Sequence, residues 1–284
     1  MGTVLEADRT DAGTVAASAR ARLFDCHAHV YERVYAAVAQ PRYLPVSPAP
    51  RQAWIERQRE NDVAGGVIVQ ISFFGTDNSE MLEALKALGT DRFRGVAVVG
   101  FDASEDELQA LRLQGVRGVR WNLVAGAPLP DLADARVAGF LKRLNRTGLH
   151  LQIQLESHRL GPYLYALTSL VDCLVIDHFG IPTSPMPKAE PWILAFKDIG
   201  SVSNVWVKFS APYRSSVDVS PHAQEILEVI GPGRVVWGSD WPWTNHEGRH
   251  SYADTRAWMG RWLDEAYWAH IERASRQLYG FSPD

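Results

Sequence analysis

The chain has 284 residues, of which 46% are hydrophobic and 22% charged, with a formal net charge of −4. This composition suits a globular protein with a large core. It excludes the basic footprint expected of a nucleic-acid binder, and no apolar run approaches the ~20 residues of a membrane span.

The opening residues lack the apolar core of a secretory signal, and Cys26 and Cys173 read as buried free thiols, so a cytoplasmic location is expected. Residues 1–21 carry no apolar period and read as a flexible tail. From residue 22 to 284 strands and helices alternate. The first strand is expected over 23–29, and prolines 41, 45, 48 and 50 punctuate the loop after it. A helix over 51–62 leads to the apolar run 66–71, the pattern of a strand buried on both faces. Asp77 or Asn78 can cap a helix over 79–88.

Further strands are expected at 94–99, 116–122, 149–155, 173–178, 205–210 and 234–239. The helices between them are expected near 104–113, 132–147, 160–170, 189–198 and 221–230, with more helix over 252–279. Eight βα units without an internal repeat predict one domain, an α/β fold of the (β/α)8 TIM barrel type. The absence of GxGxxG after the first strand weighs against a dinucleotide fold.

In such barrels the chemistry gathers at the C-terminal ends of the strands. His27 and His29 lie two apart, the spacing that sends two strand side chains to one face. The other strand ends offer Ser72, Arg120 with Asn122, Gln152 or Gln154, His178, Lys208 with Ser210, and Asp240. Tyr213 and Arg214 follow the seventh strand. Arg120 lies within an apolar stretch, where an unpaired charge is costly. Lys208 reads equally well as inward or outward. His150, His158, His222, His250 and His270 read as solvated, and His246 is undecided.

Eight segments stand in order along the chain: Asp25-Cys26-His27-Ala28-His29-Val30, Arg42-Tyr43-Leu44-Pro45, Gln70 to Asn78, Arg117 to Asn122, Ile176-Asp177-His178-Phe179-Gly180, Lys208 to Arg214, Gly238-Ser239-Asp240-Trp241-Pro242 and Leu278 to Phe281. Together they resemble the amidohydrolase superfamily, and within it the branch of 2-pyrone-4,6-dicarboxylate lactonases and related sugar and muconolactone lactonases. The likeness spans residues 22–282. Two-metal members place a bridging lysine or glutamate on strand four and a histidine on strand five; here Trp121-Asn122 and Gln152-Ile153-Gln154 stand there. The pyrone lactonases carry a tyrosine on strand five and a second arginine soon after strand four; here Gln154 and Val124-Ala125-Gly126-Ala127 stand there.

The resemblance implies a lactone hydrolase of aromatic compound catabolism. Asp240 would be the base toward water, and His27, His29 and His178 would stabilise the oxyanion. Arg120 and Arg214 would clamp carboxylates, with Tyr43, Ser72 and Gln154 completing substrate binding. No metal is expected to be required; a single Zn²⁺ on His27, His29 and Asp240 is the alternative. A small anionic substrate is expected, with neither nucleic acid nor membrane as partner, and a homo-oligomer is allowed. The other readings are a metal-dependent decarboxylase of an unsaturated or aromatic acid, a sugar lactonase, and a non-catalytic binding barrel.

Overall fold

A computed structural model of the chain describes residues 22–200 and 203–282. The expected tail over 1–21 lies outside the described residues. Eight strands alternate with helices: β1 (Leu23–Ala28), α1 (Arg51–Glu60), β2 (Val63–Val69), α2 (Ser79–Leu88), β3 (Phe93–Ala97), α3 (Glu105–Leu113), β4 (Val116–Asn122) and α4 (Ala135–Thr147) form the first half. The second half comprises β5 (His150–Gln154), α5 (Ser157–Leu170), β6 (Leu174–Ile176), α6 (Pro191–Ile199), β7 (Val205–Phe209), α7 (Ser220–Ile230), β8 (Val235–Trp237), α8 (Tyr252–Trp262) and α9 (Trp268–Tyr279).

Each strand pairs in parallel with the next, in the order β1 to β8. The barrel closes where the segment after β8 meets β1. His29 N donates to Trp241 O at 2.7 Å, and Asp240 N donates to His27 O at 2.8 Å. Gly238 makes that approach feasible, because a Cβ there would lie 2.6 Å from the His27 Cβ. The expected (β/α)8 barrel is therefore the observed fold.

Local chemistry explains the element ends. Ser104 and Glu107 close a capping box on α3, and Ser251 with Asp254 does the same on α8. Asp77, rather than Asn78, accepts the Ser79 N–H at the start of α2. Helix α4 stops at Gly148, which adopts the left-handed conformation.

Apolar side chains between strands and helices form the main core, including Trp54, Leu85, Phe140, Leu164, Phe209 and Ile226. A second cluster joins Phe24, Cys26, Val67, Val69, Val175 and Val236 to Tyr279 and Phe281 from the end of the chain. Phe281 stacks on Phe24 with ring centroids 4.2 Å apart. On β4, β5 and β7 the even-numbered positions share a face, in keeping with the strand period of 2. That face carries Gly118 and Arg120, then His150, Gln152 and Gln154, then Lys208.

Three sequence expectations change here. His150 and His222 are buried rather than solvated. His150 opens β5, and its ring fills the space beside Gly118, where a Cβ would meet it at 2.1 Å. His222 sits within α7 with Nε2 3.4 Å from the buried Glu190 carboxylate. Cys173 is half-buried and precedes β6, whereas Cys26 is fully buried in β1; both are free thiols. Among the described residues, no helix is long and apolar enough to cross a membrane.

Candidate active site

The ends of β1, β6 and β8 bring His27, His29, His178 and Asp240 together, all buried. Nε2 of His27 lies 3.5 Å, Nε2 of His29 3.7 Å and Nε2 of His178 4.0 Å from Oδ1 of Asp240. His178 and Asp240 both have positive φ, at 52° and 58°, as does Ala211 after β7 at 47°. Left-handed backbone costs a non-glycine residue roughly 1–3 kcal/mol and gathers at functional sites. Here it ends the strands early and turns the side chains of His178 and Asp240 into the mouth. This explains why β6 and β8 are shorter than their apolar runs suggest.

Asp240 is divided in its duties. Oδ2 accepts the Tyr213 hydroxyl at 2.5 Å and the Arg214 guanidinium at 2.7 Å. Oδ1 is buried without a hydrogen-bond partner, and so are Nε2 of His27 and Nε2 of His178. Burial would push the Asp240 carboxyl up, but the Arg214 guanidinium beside it holds it well below the usual carboxylate range. Burial drives the imidazoles the other way: His29 is lowered to about 4, His178 to about 3, and His27 lies well below its ordinary value. All three are neutral at pH 7.

The neutral tautomer of His29 follows from its partner. His29 Nδ1 faces the Val69 carbonyl at 2.7 Å. A carbonyl only accepts, so Nδ1 carries the proton and Nε2 turns its lone pair toward the site. His27 Nδ1 lies 3.3 Å from Asp177 Oδ1 and 3.4 Å from Lys208 Nζ. His178 Nδ1 meets the Ser210 hydroxyl at 2.8 Å.

Donor-poor buried atoms therefore converge on one point, which fits a divalent cation. His27, His29 and Asp240 present ligand atoms within 4.8 Å of one another, as do His27, Asp177 and His178. Two imidazoles, a carboxylate and an open position form a familiar catalytic zinc set, and the Asp177–His27 contact is the kind of outer support such ligands receive. The expectation that no metal is required draws no support from this donor set.

Beneath the histidines lies a buried polar layer. Arg120 Nε donates to Asp177 Oδ2 at 2.9 Å and its Nη2 to Gln154 Oε1 at 2.6 Å. Gln152 donates to Asp177 Oδ2 at 3.0 Å and accepts from Lys208 Nζ at 2.8 Å. Lys208 is fully buried and faces inward, and burial lowers its ammonium to about 8.

Asp25 supports the opposite side. Its carboxylate accepts the Ser239 N–H at 2.8 Å, the Ser239 hydroxyl at 2.6 Å, the Tyr252 hydroxyl at 2.8 Å and the Trp54 indole at 2.9 Å. It ties β1 to the residue next to Asp240.

A pocket of about 280 Å³ opens over this centre, lined by His29, Tyr43, Ser72, Arg120, Gln154 and Arg214 among others. The sequence-predicted substrate residues thus share one cavity. Among the described residues three arginines line it, Arg42 being the one the sequence reading did not select, and no carboxylate does. Arg120 and Arg214 are not idle clamps, because each is already paired with a site aspartate. Tyr43 donates its hydroxyl to Glu247. His246 and His250 pack around the Tyr213 ring, with centroids 4.8 and 4.5 Å away.

Asp25, Asp177 and Lys208 carry the centre's wiring, yet the sequence reading left Asp25 and Asp177 without roles. Their signal was present: a carboxylate inside an apolar strand, or next to a strand-end histidine, must find donors.

Comparison with known proteins places this geometry among relatives. The amidohydrolase family profile matches residues 24–279. A 2-pyrone-4,6-dicarboxylate hydrolase of Comamonas testosteroni is 34% identical over 242 residues, covering 78% of this chain and 77% of that protein. A 4-sulfomuconolactone hydrolase of Rhizobium radiobacter is 27% identical over 236 residues, covering 77% and 75%. Among solved structures, a probable 2-pyrone-4,6-dicarboxylic acid hydrolase of Acinetobacter baumannii, with citric acid bound, superposes with a TM-score of 0.82 at 30% identity. That match covers 92% of this chain and all of the other.

Proposed function

The chain belongs to the amidohydrolase family, and from that footing we propose that it hydrolyses a small carboxylated lactone, with Asp240 as the base for water. The carrying observation is the split Asp240 carboxylate: Oδ2 is held by Tyr213 and Arg214, while Oδ1 is free and faces the imidazoles. The lactone-hydrolysing relatives and the pocket wall of three arginines without a carboxylate support the same reading.

A water seated against Asp240 Oδ1 and the His29 Nε2 lone pair is oriented by two acceptors. Asp240 takes one proton as the water oxygen adds to the lactone carbonyl. The carbonyl oxygen gains negative charge and is stabilised by His178 and His27, each of which carries its proton on Nε2 when Nδ1 accepts, from the Ser210 hydroxyl and from Lys208 Nζ respectively. Collapse of the tetrahedral species breaks the ring C–O bond, and Asp240 returns its proton to the departing oxygen. A divalent cation such as zinc, held by the Nε2 lone pairs of His27 and His29 and by Asp240, would supply Lewis-acid polarisation of the carbonyl in place of the His27 proton.

Arg120, Ser72, Tyr43 and Gln154 would position the substrate, and Arg214 would do so while holding Asp240. The expected partner is a small anionic molecule, and the free thiols Cys26 and Cys173 suit a cytoplasmic enzyme. A panel of carboxylated and neutral lactones, with metal analysis of the same preparation, tests the reading. Turnover confined to carboxylated lactones supports it; turnover of neutral sugar lactones alone, or of none, rejects it.

A further inference from the structure

A second chamber of about 200 Å³ adjoins the catalytic pocket, and the two share Arg42, Ser72, Arg120 and Asn122 in their walls. Among the described residues no carboxylate lines either space. Arg42 comes from the loop between β1 and α1 and crosses the mouth to donate to Val124 O at 2.8 Å, beyond the end of β4. It forms no ion pair among the described residues. Arg42 is exposed at the mouth; partial desolvation and the neighbouring Arg120 cation disfavour its charge, with Glu156 opposing them. Glu156 is itself engaged by Arg159 at 3.1 Å and by Ala125 N at 2.7 Å.

Charges around the centre point the same way. Three cations, Arg120, Lys208 and Arg214, share two carboxylates, Asp177 and Asp240. Arg120 and Lys208 lean on Asp177, at 2.9 and 3.6 Å, and Arg214 on Asp240. The Arg120 cation faces Arg42, the arginine of the pocket wall with no ion pair among the described residues. An oxyanion placed between Arg42 and Arg120 would relieve their repulsion and could receive a planar fork from Arg42.

We propose that Arg42, at the wall shared by the two chambers, is the receptor for a second anionic group of the substrate, remote from the bond that is cleaved. This rests on the lactone reading for its substrate, and it makes Arg42 a specificity-determining residue. The residue distinguishes doubly from singly charged lactones.

The test compares the wild-type full-length chain with Arg42→Met and Arg42→Lys on 2-pyrone-4,6-dicarboxylate and 2-pyrone-6-carboxylate. The ratio of kcat/KM for the dicarboxylate to that for the monocarboxylate should fall about tenfold in Arg42→Met, the loss of one charged hydrogen-bonded contact. Arg42→Lys should restore part of it. An unchanged ratio, or equal losses on both substrates, overturns the assignment. If neither pyrone is turned over, the lactone reading fails by itself, and calorimetric titration with citrate decides Arg42 separately. A drop in citrate affinity of about tenfold in Arg42→Met keeps the receptor, and undiminished affinity removes it.

Discussion

Arg214 and Asp240 form a buried ion pair at 2.7 Å on one carboxylate oxygen, leaving the other turned toward Nε2 of His27 at 3.5 Å. The arginine therefore sets both the position of the proposed base and its readiness to hold a proton. It also explains why an acid surrounded by neutral imidazoles stays ionised.

Replacing Arg214 by Met should for this reason do more than weaken substrate binding. With its cation gone, the Asp240 pKa rises, since an adjacent arginine lowers a carboxyl by about 1–3 units. A base works deprotonated, so the acid limb of kcat/KM should move to higher pH, with Arg214→Lys in between. A raised KM with an unmoved acid limb would make Arg214 a substrate anchor alone.

Asp25 holds Ser239, Tyr252 and Trp54 together through one buried carboxylate. Asp25→Ala strands those donors, each costing about 1–3 kcal/mol when left buried and unsatisfied. A loss of at least ~3 kcal/mol in denaturant unfolding is expected. A change below ~1 kcal/mol would show that the β1–β8 seam is held by other contacts.

Acid should destabilise the fold through its buried histidines. Burial lowers His150 from an ordinary value of 6.5 to about 3, and His29 and His178 to about 4 and about 3. Between pH 6.5 and these values the unfolded chain binds protons that the folded chain refuses. Stability is therefore complete above about pH 6.5 and falls as pH drops toward 3. His150→Gln should flatten the slope of unfolding free energy by up to ~1.4 kcal/mol per pH unit in that window. An unchanged slope would mean that His150 titrates normally in the fold.

Much of this was legible in the sequence. Apolar runs bounded by turn residues marked eight strands, and their polar terminal residues marked the mouth, so His27, His29, His178 and Asp240 were found together with Arg120 and Arg214. Period and composition could not reveal pairing across the barrel. Lys208 lies in a strand buried on both faces, where alternation does not tell inside from outside. His150 is buried because Gly118, on the neighbouring strand, leaves it room, which is a matter of register. His222 sits on a helix face that packs inward against Glu190. Arg42 reaches the pocket through a proline-rich loop whose course has no periodic signature.

The most direct test of the account is the mass of the product when 2-pyrone-4,6-dicarboxylate is incubated with wild-type protein and with Asp240→Asn. The wild type should yield a ring-opened acid heavier than substrate by one water. The folded Asp240→Asn protein should form it ~10²–10⁴-fold more slowly, the usual scale for loss of a general base. Loss of carbon dioxide instead of gain of water, or undiminished hydrolysis by Asp240→Asn, would contradict the account.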